Sequence, residues 1–226
     1  MTETPNKITV GIDEAGRGPI LGPMVMVAIA VDEDGAKKLE WLGVKDSKLL
    51  SSETREELFG RIREVVHDFR VEMIEPDAID LSLSEENTNL NWLEADTSAR
   101  MISELAPDKA VVDCPSPNTG AYKKYLLEKL IPEVRKKIEL IAEHKADVNY
   151  IVVSAASVIA KVIRDRAIDN LKAKIKIDFG SGYMSDPKTK EFLDKYHEQF
   201  PELFRRRWQP YQDVVEKKKQ KQLGEF

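Results

Sequence analysis

The sequence predicts an α/β layered domain built on a mixed β-sheet, with a helical appendage at its C-terminal end. Three observations carry this. Apolar runs of strand length alternate with segments of helical period along residues 7–187. The first two runs are joined by a Gly/Pro-rich turn rather than a helix, which suits an antiparallel pair inside a larger sheet. The last forty residues or so hold helical patterns only.

In chain order, residues 7–14 and 24–31 read as strands flanking Gly16-Arg-Gly-Pro19 and Gly22-Pro23. Ser51 is placed to cap a helix whose apolar positions Leu58, Ile62, Val65, Val66 and Phe69 follow a helical period. Residues 70–74 read as a strand and 87–105 as a helix. Residues 109–113 form a short apolar strand that ends in Asp113, followed by Cys-Pro-Ser-Pro. A helix over 122–130, a strand over 137–142 and a long helix from 154 to about 176 follow. Residues 180–187 form a glycine-containing loop, and helices resume over 188–199 and from about 209 to 219. The expected division is a catalytic domain over 1–187 and a helical extension over 188–226.

The 226 residues suffice for one sizeable core, and 42% hydrophobic with 33% charged residues places the chain among globular proteins. The longest nearly apolar stretch, residues 20–31, is too short for a bilayer span of about 20 residues and contains Gly22-Pro23. No secretory signal is evident at the N-terminus, and Cys114 is the single cysteine, so a cytoplasmic location and no intramolecular disulfide are expected. Net charge is −5 and the isoelectric point about 5.5, which disfavours coating of nucleic acid by bulk charge. Local binding through divalent ions remains open, because clustered carboxylates keep such a site acidic until the ions arrive. Residues 205–226 are locally basic, with seven Lys/Arg against three acids.

Four carboxylates are candidate catalytic and metal-binding groups: Asp13 and Glu14 at the end of the first strand, Asp113 at the end of another, and Asp147 shortly before the long helix. Strand ends at one edge of an α/β sheet are where ligand sites collect. Oxygen donors without His or Cys suit Mg²⁺ or Mn²⁺ rather than zinc, and His67, His144 and His197 show no zinc spacing. A charged turn, a cap or a solvated loop explains any one of these acids alone; their shared position at element ends is what sets them together. The Gly16-Arg17-Gly18 turn bares backbone amides beside a guanidinium. Lys48, in a polar Lys-Asp-Ser-Lys loop, offers a point charge for phosphate. Ser154, Ser157, Lys161 and Arg164 share one helix face, which suits an anionic backbone, while an ordinary polar face is the plainer explanation. Tyr183, in Gly-Ser-Gly-Tyr, is a candidate for stacking on a sugar or base. No Gly-x₄-Gly-Lys-Ser/Thr is present, which excludes a P-loop nucleotide-binding protein.

These blocks resemble, in order, the type 2 ribonuclease H (ribonuclease HII) family: Asp13-Glu-Ala-Gly-Arg-Gly-Pro19, Asp46-Ser-Lys48, Val-Val-Asp113, Asp147, Ser154-Ala-Ala-Ser157-Val-Ile-Ala-Lys161 and Gly180-Ser-Gly-Tyr183. The Arg205-Arg-Arg-Trp208 segment is similar to the extension of archaeal members. The resemblance implies a ribonuclease H-like sheet flanked by helices. It also implies endonucleolytic hydrolysis of the RNA strand of RNA–DNA hybrids and incision at ribonucleotides embedded in duplex DNA. Asp13, Glu14, Asp113 and Asp147 would hold two Mg²⁺ or Mn²⁺ ions with substrate bound. Gly16, Arg17 and Gly18 would sense the ribose 2′-OH, Tyr183 would stack on deoxyribose, and Lys48 would hold phosphate. The chain is expected to act as a monomer. A junction resolvase-like nuclease of the same broad fold, and a non-catalytic nucleic-acid-binding module, are the alternatives. The terminal Gln220, Leu223 and Phe226 resemble the peptide by which replication proteins dock on the sliding clamp, with one terminal aromatic where the motif usually has two.

Overall fold

The computed structural model describes residues 6–44, 50–84 and 88–224, with side chains through 220. Lys48 and Phe226 therefore lie outside the described residues, and the side chain of Leu223 does as well. The elements in order are β1 (Thr9–Ala15), β2 (Met24–Val31), α1 (Glu33–Trp41), α2 (Ser52–Val65), β3 (Asp68–Ile74), α3 (Pro76–Ser82), α4 (Leu90–Leu105), β4 (Lys109–Asp113), α5 (Thr119–Lys129), α6 (Pro132–Arg135), β5 (Glu139–Glu143), α7 (Ala146–Asn149), α8 (Ile151–Ile175), α9 (Pro187–Tyr196), a 3₁₀ turn (Pro201–Leu203) and α10 (Gln209–Gly224).

The sheet is mixed, as the sequence predicts. Its order is β3-β2-β1-β4-β5, with β1 antiparallel to β2 and parallel to β4, and β4 parallel to β5. Four helices escaped the sequence reading: α1, α3 and the single-turn α6 and α7. In α1, Gly35 interrupts the pattern, yet Asp32 caps the helix by accepting from the Gly35 amide. In α3, Pro76 occupies the first turn, where its missing N–H costs nothing. Accordingly α4 begins at Leu90 rather than 87, and α8 begins three residues earlier than expected.

The described residues form two compact units. The first comprises the described parts of Met1–Ala15, Val25–Glu72 and Asn91–Ile163; the second comprises those of Gly16–Met24, Met73–Leu90 and Arg164–Phe226. The first unit buries Val25, Val27, Ile29, Val31 and Val111 against Val152, Ala155, Ala156 and Ile159 of α8. Gly11 makes that packing feasible: a Cβ there would lie 2.5 Å from the Val152 carbonyl carbon. The second unit has its own core of Ile20, Leu21, Ile168, Phe179, Phe192, Leu193, Leu203, Phe204 and Tyr211. Phe192 lies within 5.3 Å of Phe179 and 5.6 Å of Phe204, ring centre to ring centre. Among the described residues no helix is long and apolar enough to cross a membrane.

Candidate active site

Register explains how acids 100 positions apart in the sequence meet. β1 and β4 run parallel with Gly11 opposite Val111 and Ile12 opposite Val112. One step further, Asp13, two residues before the end of β1, comes beside Asp113, the last residue of β4, on strands about 4.8 Å apart in the pairing direction. Side-chain alternation puts Asp13 on the face of Gly11, toward α8. Among the described residues, Asp13, Glu14 and Asp113 form a group in which one carboxylate oxygen from each lies within 4.8 Å of the other two.

Hydrogen bonds fix the cluster from several sides. Asp13 Oδ1 accepts from the Glu14 amide at 2.9 Å. The Ser157 hydroxyl also bonds the Asp13 carboxylate, and Lys161 Nζ donates to Ser157 Oγ at 3.0 Å. Asp113 Oδ1 accepts from the Ala146 amide at 2.7 Å, which ties β4 to the start of α7. Asp147 follows at once. It is buried on that short helix, and its carbonyl accepts from the Ser154 hydroxyl. Asp147 stands outside the three-residue group.

The electrostatics are strained. Burial is the main force that holds the Asp13 carboxyl well above the usual carboxylate range; Glu14 and Asp113 add to it, while the Ser157 hydroxyl and the Glu14 amide oppose it. A cation of hard-oxygen preference would relieve this repulsion, and a donor set of carboxylates without His or Cys fits Mg²⁺ or Mn²⁺. The histidines serve elsewhere: His67 pairs with Asp32, His144 bonds the Cys114 carbonyl, and His197 bonds the Leu193 carbonyl. Cys114 is buried, and burial pushes its thiol pKa up.

The α8 face that sequence suggested for an anionic backbone has a different character. Ser157 is 1% exposed and faces Asp13, so the hydroxyl supports a carboxylate. Arg164 is buried in the second unit, donates to the Ser181 carbonyl at 2.6 Å and lies over the Tyr183 ring at 5.3 Å.

The other candidates also belong to the second unit. Gly16 has φ +79°, and a Cβ there would lie 2.8 Å from the Pro23 carbonyl oxygen. Arg17 is half-buried and Gly18 exposed. The Gly-Ser-Gly-Tyr loop is pinned rather than loose. Asp186 accepts from the Ser181 amide at 2.7 Å, Thr189 Oγ1 accepts from the Gly182 amide at 3.0 Å, and the Gly182 carbonyl accepts from the Ile20 amide at 2.8 Å. Tyr183 is exposed.

Sequence reasoning missed Arg205, whose fully buried guanidinium donates to the carbonyls of Gly16, Arg17 and Gly22. An arginine directly after Leu203-Phe204 and three residues before Trp208 was the available signal.

The family model for ribonuclease HII matches residues 10–211. The chain belongs to the ribonuclease HII family. A ribonuclease HII from Pyrococcus abyssi is 42% identical over 216 residues, covering 94% of this chain and 93% of the relative. The crystal structure of ribonuclease H2 from Pyrococcus horikoshii OT3 superposes with a TM-score of 0.83 at 38% identity, covering 93% of this chain and 98% of that one. A ribonuclease HII from Archaeoglobus fulgidus, solved as a complex with PCNA, superposes with a TM-score of 0.79 at 38% identity, covering 89% and 95%. As a ribonuclease HII the chain is a ribonuclease H hydrolase, of a divalent-metal-dependent class that acts on RNA–DNA hybrids. Membership decides against a junction resolvase and against a non-catalytic binding module.

Proposed function

We propose that this ribonuclease H incises duplex DNA on the 5′ side of an embedded ribonucleotide, as well as cutting RNA in hybrids, and leaves 5′-phosphate and 3′-hydroxyl ends. The observation that carries the proposal is the Asp13, Glu14 and Asp113 group at adjacent strand ends. With Asp147 these residues would hold two divalent ions, Mg²⁺ or Mn²⁺, which supply water activation and stabilisation of the leaving 3′-oxygen. Ser157 keeps the Asp13 carboxylate oriented, and Lys161 in turn anchors Ser157. In the reaction a water oxygen bonds to phosphorus, the P–O3′ bond breaks, and the 3′-oxygen takes up a proton.

Selectivity falls to the Gly16-Arg17-Gly18 loop, which follows Glu14 by one residue in the chain. The 2′-OH is the local chemical difference between RNA and DNA at the cut, and exposed amides beside a guanidinium suit a hydroxyl flanked by phosphates. Tyr183, its ring backed by Arg164, offers a face to a sugar, and Arg164 acts through Tyr183 and Ser181. Lys48 supplies a phosphate contact. The test is a duplex with one ribonucleotide, incubated with and without Mg²⁺ or Mn²⁺ and mapped at nucleotide resolution. A 5′-side nick that ends in a 3′-hydroxyl is expected; metal-independent cleavage or a 2′,3′-cyclic phosphate product contradicts the assignment.

A second function concerns the tail. We infer that Gln220, Leu223 and Phe226 dock on a sliding clamp. The Archaeoglobus fulgidus relative supports this through its complex with PCNA, and Gln220 is exposed near the end of α10. Removal of residues 223–226 should abolish co-elution with the clamp and leave hybrid cleavage intact.

A further inference from the structure

Arg205 sits at an unusual address. It follows the 3₁₀ turn in the C-terminal segment, yet its side chain is fully buried and reaches the turn that follows β1. Nη1 donates to the Arg17 carbonyl at 2.6 Å, Nη2 to the carbonyls of Gly16 and Gly22, and Nε to the Gly22 carbonyl at 3.3 Å. The backbone joins in. The Arg205 amide donates to the Ile20 carbonyl at 2.8 Å, the Gly22 amide donates to the Leu203 carbonyl at 2.9 Å, and Leu21 bridges Phe204. Residues 203–205 thus line the 16–22 loop along its length, and one guanidinium closes both ends of it.

Two further groups seat the arginine. Asp80 of α3 accepts from the amides of Arg206 and Arg207 at 2.8 and 2.9 Å, which sets the chain direction just past Arg205. Trp208 covers the guanidinium at 5.2 Å from its ring centre. The arrangement is costly for a cation: burial, with Arg164 and Arg17 as like charges, pushes the Arg205 pKa down to about 10.

The consequence follows from peptide geometry. In a trans peptide the C=O and the next N–H point in opposite directions. Drawing the Gly16 and Arg17 carbonyls onto Arg205 therefore turns the amides of Arg17 and Gly18 the other way, and Gly18 is exposed. We propose that Arg205 is a positioning residue for substrate selection: it presents the Arg17 and Gly18 amides as a fixed donor pair for a ribose hydroxyl or a phosphate oxygen, with Asp80 holding the arginine in place. This rests on the loop being the reader of the 2′-OH. A planar fork can meet three carbonyls at once; a lysine ammonium has the charge without the fork.

The test uses the full chain with Mg²⁺ and compares wild type with Arg205→Lys. Amide exchange by mass spectrometry should be at least tenfold faster over residues 16–22 in the variant, with residues 9–14 unchanged. On a duplex holding one ribonucleotide, kcat should fall at least tenfold and KM move less than threefold, because the fixed amides matter once the substrate is seated. Unchanged exchange over 16–22 in folded Arg205→Lys overturns the clamp, and loosened exchange with unchanged kcat overturns its link to selection. If Arg205→Lys does not fold, Asp80→Asn carries the same two readouts, with the same outcomes for and against. Wild type on the same duplex with 2′-fluorine in place of the 2′-OH separates this inference from the one beneath it: unchanged cleavage shows that the 2′-OH is not read, whatever the exchange data show.

Discussion

The carboxylate cluster of the first unit and the arginine network of the second solve opposite problems in opposite ways. In the first, three like charges converge at strand ends, and the Asp13 carboxyl is driven well above its ordinary range by burial and by its neighbours. In the second, Arg205 is buried on carbonyl oxygens that the chain itself supplies. The acidic site is left electrostatically incomplete, which is the signature of a place built for incoming ions. The arginine site is internally complete, which suits a scaffold that must not move.

The largest effect that would break this comparison comes from Asp13→Asn. Cleavage of an RNA–DNA hybrid should drop about a thousandfold or more. In EDTA the same variant should be more stable than wild type at neutral pH. Because the folded-state pKa of Asp13 is raised, its contribution to stability is intact below the ordinary carboxylate range and is lost as pH rises through the folded value. A higher melting temperature than wild type is expected at pH 7, and the difference should vanish as pH falls below the ordinary carboxylate range. An Asn variant that melts lower than wild type in EDTA at pH 7 would show that the cluster is not strained.

On the arginine side, Gly16→Ala forces a Cβ to 2.8 Å from the Pro23 carbonyl oxygen at a φ of +79°. A loss of about 1–3 kcal/mol in urea unfolding is expected, with kcat/KM on a single-ribonucleotide duplex lowered about a hundredfold and metal affinity of the acidic cluster little changed. Equal losses in metal binding and cleavage would mean that the two regions are not separable. The smallest expected effect is that of Ser157→Ala. It removes a hydrogen bond that lowers the Asp13 pKa, so that pKa rises further and the acidic limb of the pH–activity profile moves to higher pH. A tenfold drop in activity at pH 6, narrowing at pH 9, would be measured against wild type.

How much of this was legible in the sequence differs by region. The strand ends that carry Asp13, Glu14 and Asp113 were readable because apolar runs stop abruptly at a carboxylate. The β1–β4 register that makes neighbours of Asp13 and Asp113 was not, since period-2 patterns give faces and not partners. Ser157 was placed on the correct face of α8, but burial reversed its surroundings: a polar stripe reads the same whether it meets solvent or a buried acid. The role of Arg205 was overlooked for another reason. Its partners are backbone carbonyls, which every residue has, so no complementary side chain announces it in the sequence. The helices α1 and α3 were missed where Gly35 and Pro76, ordinarily breakers, occupy a first turn.

Gly11 has a consequence that reaches well beyond its own strand. Because β1 and α8 touch there with only a hydrogen between them, a single added methyl would push outward the helix that carries Ser157 and Lys161. Core-filling, the usual route to a sturdier enzyme, is closed at this position. The tolerance of the acid cage is set by a residue with no side chain, two places upstream of the first acid it serves.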